Sequence, residues 1–213
     1  MRKLVDSTPI VLLSPPGFIA DLRCFLTTRS APATCGSTFM PINPSKLRMR
    51  QLLAAEGYLA LSMPDHALRE LGRIEDIGDD RFNTCMLRGE ALLMKEEKLQ
   101  ALDAFREAHL EKPTDLSALM RMAWCFKRID QLPKAIDAMK LAYQFHKEVP
   151  VVLYNLACYY SLAGEKDEAL SWLGRAFRMD RELLKLIPKE TDFDPLRNDS
   201  DFQHLLALTS SRK

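Results

Sequence analysis

Four histidines, five cysteines and several adjacent carboxylate pairs are the residues of this chain equipped for acid–base, metal or nucleophilic chemistry. A zinc site would need His or Cys ligands converging on one point, as in two His four residues apart on a helix or paired CxxC motifs. His66, His109, His146 and His204 have no partner histidine at that spacing, and Cys24, Cys35, Cys85, Cys125 and Cys158 form no CxxC. A nucleophile or general base also needs an orienting partner, and HExxH is absent. Glu96-Glu97 and Asp79-Asp80 fall between apolar runs, where turns and solvation account for them. The eight glycines are scattered singly, which leaves no Gly-rich loop to cradle a phosphate. The sequence therefore predicts no catalytic residue, no metal and no cofactor, and a chain that is not an enzyme.

The elements that must position any site repeat every 34 residues. One register can be laid over Arg48–Arg81, Phe82–Asp115, Leu116–Val149 and Pro150–Leu183. Position 8 is Ala55, Gly89, Ala123 and Ala157; position 20 is Ala67, Ala101, Ala135 and Ala169; position 27 is Ile74, Ala108, Ala142 and Ala176. Small residues at 8 and 20 let two helices of a hairpin approach closely, ridge into groove. Position 27 serves the first helix of the next copy. Large apolar residues fill position 11 (Tyr58, Leu92, Phe126, Tyr160) and position 24 (Leu71, Phe105, Met139, Leu173). The spacing of Ala101, Phe105 and Ala108 keeps all three on one helical face. Two helices of about 14 residues would each run about 21 Å.

This pattern resembles the tetratricopeptide repeat (TPR) family, whose period and Leu-Gly/Ala…Tyr…Ala…Phe…Ala…Pro signature it matches over Arg48–Leu183. Individual copies depart from it: Arg88 stands where the family prefers Leu, Gln51 and Cys85 replace a Trp-like residue, and only Pro113 keeps the closing Pro. The resemblance implies an all-α, right-handed α-solenoid of four helical hairpins.

The flanks differ. Residues 1–45 are punctuated by Pro9, Pro15, Pro16, Pro32, Pro41 and Pro44, with no lasting periodicity. A disordered extension is expected; translation starting at Met40, and a segment folding back into the groove through Val11, Leu12, Leu13, Phe18 and Ile19, are the alternatives. Met1-Arg2-Lys3 looks like the start of a signal peptide, but Asp6 and Ser14-Pro15-Pro16 break the apolar segment behind it. Ser45 is a candidate N-cap for a helix from Lys46, and Pro64 and Pro133 suit the first turns of second helices. Beyond Leu183, residues 184–213 are expected to form a cap and tail, since an open helical stack needs its last apolar face covered. Asp194-Pro195 reads as an N-cap with a first-turn Pro, Ser200 as the cap of a last short helix, and Phe193, Leu196, Phe202 and Leu205 as the covering side chains. The stretch resembles the Asp-Pro-Leu-Arg-x-Asp…Phe ending of many bacterial TPR proteins.

A net charge of +1 gives no reason to expect nucleic acid or an anionic membrane as partner, and no run approaches the roughly 20 apolar residues of a membrane span. The odd, widely spaced cysteines argue against a disulfide framework, so a reducing compartment, the cytoplasm, is expected.

By resemblance to the family, the first helix of each repeat lines a concave groove. The groove residues are then Leu52, Glu56, Met86, Glu90, Met120, Arg121, Trp124, Tyr154, Asn155 and Cys158, with Leu53 and Leu87 expected in the core or under the N-terminal extension. Trp, Tyr and Arg are common binding anchors, and Met adapts to irregular apolar partners. The carboxylate clamp of some TPR domains needs Lys at position 5 and Asn at position 9; Leu52, Met86, Met120 and Tyr154 occupy the first, and Glu56, Glu90, Trp124 and Cys158 the second. The expectation is a non-catalytic scaffold, an adaptor or chaperone-like module holding an extended or helical peptide. The alternative is a homo-oligomerising spacer that pairs through Phe202 and Leu205.

Overall fold

The computed structural model describes residues 44–75 and 77–211. The predicted N-terminal extension lies outside the described residues except for Pro44 and Ser45, which already belong to the first helix. That helix thus begins two residues before Lys46, with Ser45 in its first turn.

Eight helices form four hairpins: α1 Pro44–Ala60 with α2 Pro64–Gly72, α3 Arg81–Met94 with α4 Lys98–Glu111, α5 Leu116–Arg128 with α6 Leu132–Phe145, and α7 Pro150–Leu162 with α8 Lys166–Met179. Each packs on the next, and α1 also touches α3, so first helices form one layer and second helices the other. No strand occurs among the described residues. The alanines at the small-residue positions are sealed: Ala55, Ala67, Ala101, Ala108, Ala123, Ala135, Ala142, Ala157, Ala169 and Ala176 have no exposed surface. At Gly89 the approach is closer still, because a Cβ built there would lie 2.4 Å from the ring of Phe105 on α4.

The turn inside each hairpin has one geometry. Position 15 of the register is Ser62, Glu96, Asp130 and Gly164, with φ of 57°, 61°, 58° and 77°. After it, the N–H of Met63, Glu97, Gln131 and Glu165 donates to the carbonyl of Tyr58, Leu92, Phe126 and Tyr160, respectively. This is the left-handed, six-to-one closure that ends helices and that glycine suits best. Only the fourth copy uses glycine. Pro64, Pro133 and Pro150 sit in first turns, where their missing N–H costs nothing. Asp115 caps α5 by accepting from the Ala118 N–H at 2.9 Å.

Side chains from Leu92 to Phe202 share one continuous core, whereas the first hairpin rests on a separate small cluster of Leu52, Ala55, Ala67, Leu71, Ile74 and Ala91. A 3₁₀ turn, Gly78–Asp80, joins the two, and Arg48 on α1 holds Asp80 at 2.6 Å.

After α8 the repeat stops at Asp180, whose extended backbone breaks the helix. Two 3₁₀ segments follow, Arg181–Lys189 and Thr191–Leu196, and then α9 Ser200–Ser211. Phe193, Leu196 and Phe202 are buried, as expected of a cap, and Leu205 packs at the edge of the same core. The capping details differ from the sequence reading. Asp194 does not start a helix; it lies inside the second 3₁₀ segment, which Glu190 caps through the Asp192 N–H. Asp199, not Ser200, caps α9, accepting from the N–H groups of Asp201 and Phe202 at 2.9 and 3.1 Å. An aspartate just ahead of the helix reaches two free N–H groups, which a serine already inside it does not.

Candidate functional site

The residues expected to face a groove come from α1, α3, α5 and α7, whose small residues at position 8 are buried in the hairpins. What those helices present changes along the stack. Over the first two repeats Met49 and Leu53 of α1 are half exposed (50% and 53%), and Met86 and Leu87 of α3 are half-buried. Leu53, expected in the core or under the N-terminal extension, is not a core residue: it keeps this exposure one position past the buried Leu52, and the extension lies outside the described residues. Leu52 is itself a core residue at 5% exposure, which corrects its placement in the groove. Glu56 and Glu90 remain partly exposed.

The middle of the groove is charged and aromatic. Arg121 of α5 holds Glu90 of α3 at 2.5 Å. Burial pushes the Glu90 carboxyl up and the Arg121 guanidinium down, and each partner opposes the shift of the other. The pair ties α5 to α3. Trp124 is half-buried, with the Arg128 guanidinium 5.1 Å from its ring centroid. Met120, also expected in the groove, is buried under this layer at 8% exposure.

At the fourth repeat the corresponding face of α7 is covered by the chain itself. The second 3₁₀ segment lies along α7. Phe193 meets Tyr154 edge-on, centroids 5.7 Å apart, and leans on Phe202 at 5.6 Å. Tyr154 has no exposed surface, and Cys158 retains 2%. Neither can touch a partner, which corrects both assignments; a family position marks the side of a helix and not what covers it. Asp192, from the same segment, reaches back to Lys127 of α5 at 2.6 Å, and this ion pair is largely buried. Lys127 also sits 5.7 Å from the Tyr159 ring centroid. Arg197 ties the segment down by donating to the carbonyls of Glu190 and Ile187. Burial pushes the Cys158 thiol and Tyr154 hydroxyl well above their usual ranges, and the carboxylates of Asp192 and Glu190 add to it. Asn155 stays partly exposed at the border.

On this face, Met49, Leu53, Glu56, Met86, Glu90, Arg121, Trp124, Arg128 and Asn155 keep exposed surface. Met49 and Arg128 are absent from the sequence-based set, although they occupy positions 2 and 13 of the same register. Among the described residues no group of three or more His, Cys, Asp and Glu could hold a metal, and no helix is long and apolar enough to cross a membrane.

No family model and no curated protein matches the chain. Solved structures do. A MamA protein superposes with a TM-score of 0.65 at 14% identity, over 78% of this chain and 93% of the other. Residues 41 to the end of MamA from Desulfovibrio magneticus RS-1 give a TM-score of 0.61 at 17% identity, over 81% and 98%. TTC0263, a thermophilic TPR protein of Thermus thermophilus, gives 0.55 at 20% identity, over 71% and 82%. The repeat register, the four helical hairpins and these superpositions together show that the chain has the tetratricopeptide-repeat fold.

Proposed function

We propose that the chain is a non-catalytic interaction scaffold, an adaptor or chaperone-like module, that holds an extended or helical peptide in the groove of its first three repeats. The observation that carries this reading is the contrast along one surface. The fourth repeat's groove is filled by the chain's own Phe193, while Met49, Leu53 and Trp124 on the first three remain accessible. Apolar side chains gathered on one face mark interaction surfaces, and a methionine-rich lining with one Trp suits an amphipathic helix or apolar strand laid into it. Cys85, Cys125 and Cys158 are free and buried, in keeping with a cytoplasmic protein.

Self-pairing through Phe202 and Leu205 has less support, because Phe202 is buried and Leu205 packs onto α8 near Gly174. Trp124→Ala is expected to reduce recovery of the partner in a pull-down by at least tenfold, a typical loss of about 2 kcal/mol for a buried aromatic anchor, with helical circular dichroism unchanged. Undiminished recovery would remove Trp124 from the site. Tyr154→Ala is no equivalent test, since it opens the cap.

A further inference from the structure

On the opposite layer, between the second helices α6 and α8, lies a cleft of about 270 Å³ that the groove reading does not use. Its walls bring together three cations: Lys147, just beyond the end of α6, and Arg175 and Arg178 on α8. One carboxylate, Glu148, shares the lining, which leaves two positive charges uncompensated. Met179, at the end of α8 and 40% exposed, contributes an apolar wall over the buried Leu153. None of the three cations belongs to an ion pair among the described residues, whereas Arg121, Lys127, Lys166 and Arg197 elsewhere each hold a carboxylate.

The carbonyl ends of α6 and α8 attract nearby cations and explain why Lys147 and Arg178 are tolerated there. They do not explain Arg175, three residues earlier. Its guanidinium lies 4.3 Å from the Trp172 ring centroid and 5.1 Å from that of Tyr143, and it donates to the Tyr143 hydroxyl. Tyr143 and Trp172 meet edge-on, and the Trp172 indole N–H donates to Glu168 at 3.1 Å. The guanidinium is thus held in one plane before any ligand arrives. A planar donor fork of this kind, flanked by two exposed cations, suits the oxygens of a phosphoryl group.

We propose that this cleft binds a phosphate monoester, a dianion that matches the two uncompensated charges, with its organic stem against Met179. The site stands apart from the groove, so either can fail without the other.

The test is titration of the full-length chain with phenyl phosphate, followed by calorimetry at constant ionic strength, because exposed charges are screened by salt. Saturable binding is expected, weakened about tenfold by Lys147→Gln and by Arg178→Gln, the usual effect of one charge-assisted hydrogen bond. Both are surface changes that leave circular dichroism unaltered. Glu148→Gln should tighten binding, a reversal that lost folding cannot imitate. A phosphotyrosine peptide binding more tightly than phenyl phosphate assigns the natural ligand to a polypeptide, and equal binding assigns it to a small molecule. Absence of saturable binding, or binding unchanged in both cation variants, overturns the proposal.

Discussion

Lys127→Ala is expected to lower the stability of the chain by about 3 kcal/mol, the size of effect seen when a buried ion pair loses one partner. Lys127 and Asp192 are 2.6 Å apart and their side chains are only 15% and 10% exposed. Removing the ammonium strands the Asp192 carboxylate on the covered face of α7, beside Glu190, whose own carboxyl burial already pushes up. The second 3₁₀ segment should then lift, uncovering Phe193, Tyr154 and Cys158. Denaturation in urea measures the loss, and labelling of Cys158 in the folded variant reports the lifting. Asp192→Asn should cost less, because the flexible lysine stem can carry its charge out to water. Replacing both with apolar residues, Lys127→Met with Asp192→Leu, should recover most of the loss. Equal stability of Lys127→Ala and the parent would mean that the cap is not held by this pair.

Gly89→Ala should destabilise by about 1–3 kcal/mol through overpacking, although the same change in an open helix stabilises by about 1 kcal/mol. The reason is Phe105. Three of its ring carbons lie 2.4, 2.6 and 2.8 Å from where the new methyl must go, and the ring itself has no exposed surface into which to retreat. Gly57→Ala provides the control: it is also helical, in the last turn of α1, nothing lies within 4 Å of its Cβ, and it should raise stability. Opposite signs for one chemical change at two helical positions would follow from packing alone. Thermal unfolding of the two variants beside the parent decides it, and stabilisation of both would show that α3 and α4 are less tightly nested.

Both effects trace to what side-chain types do and do not disclose. Ala101, Ala135 and their counterparts are legible because close helix contact sets a limit on volume at a fixed spacing, and a limit on volume shows directly as residue type. Phe193 is legible as a capping residue but not as an occupant of the groove. Its contact with Tyr154 joins residues far apart in the chain, and no local pattern encodes it. Leu52 and Leu53 are the same residue type one position apart, yet one is sealed and the other half exposed; only the neighbouring helices distinguish them. The left-handed turn at position 15 can be recognised at Gly164 and is hidden at Ser62, Glu96 and Asp130, where closure of the helix end outweighs the steric cost of a side chain.

The proposed groove, accessible over three repeats and covered by the chain at the fourth, should leave a distinct footprint. Hydroxyl-radical labelling of the full-length chain, free and with its peptide partner bound, tests this directly. Met49 and Trp124 should be oxidised in the free chain and protected in the complex, while Tyr154 and Phe193 stay protected in both. Oxidation of Tyr154 and Phe193 as fast as Trp124 in the free chain, or protection that falls on Leu99 and Trp172 instead, would contradict it.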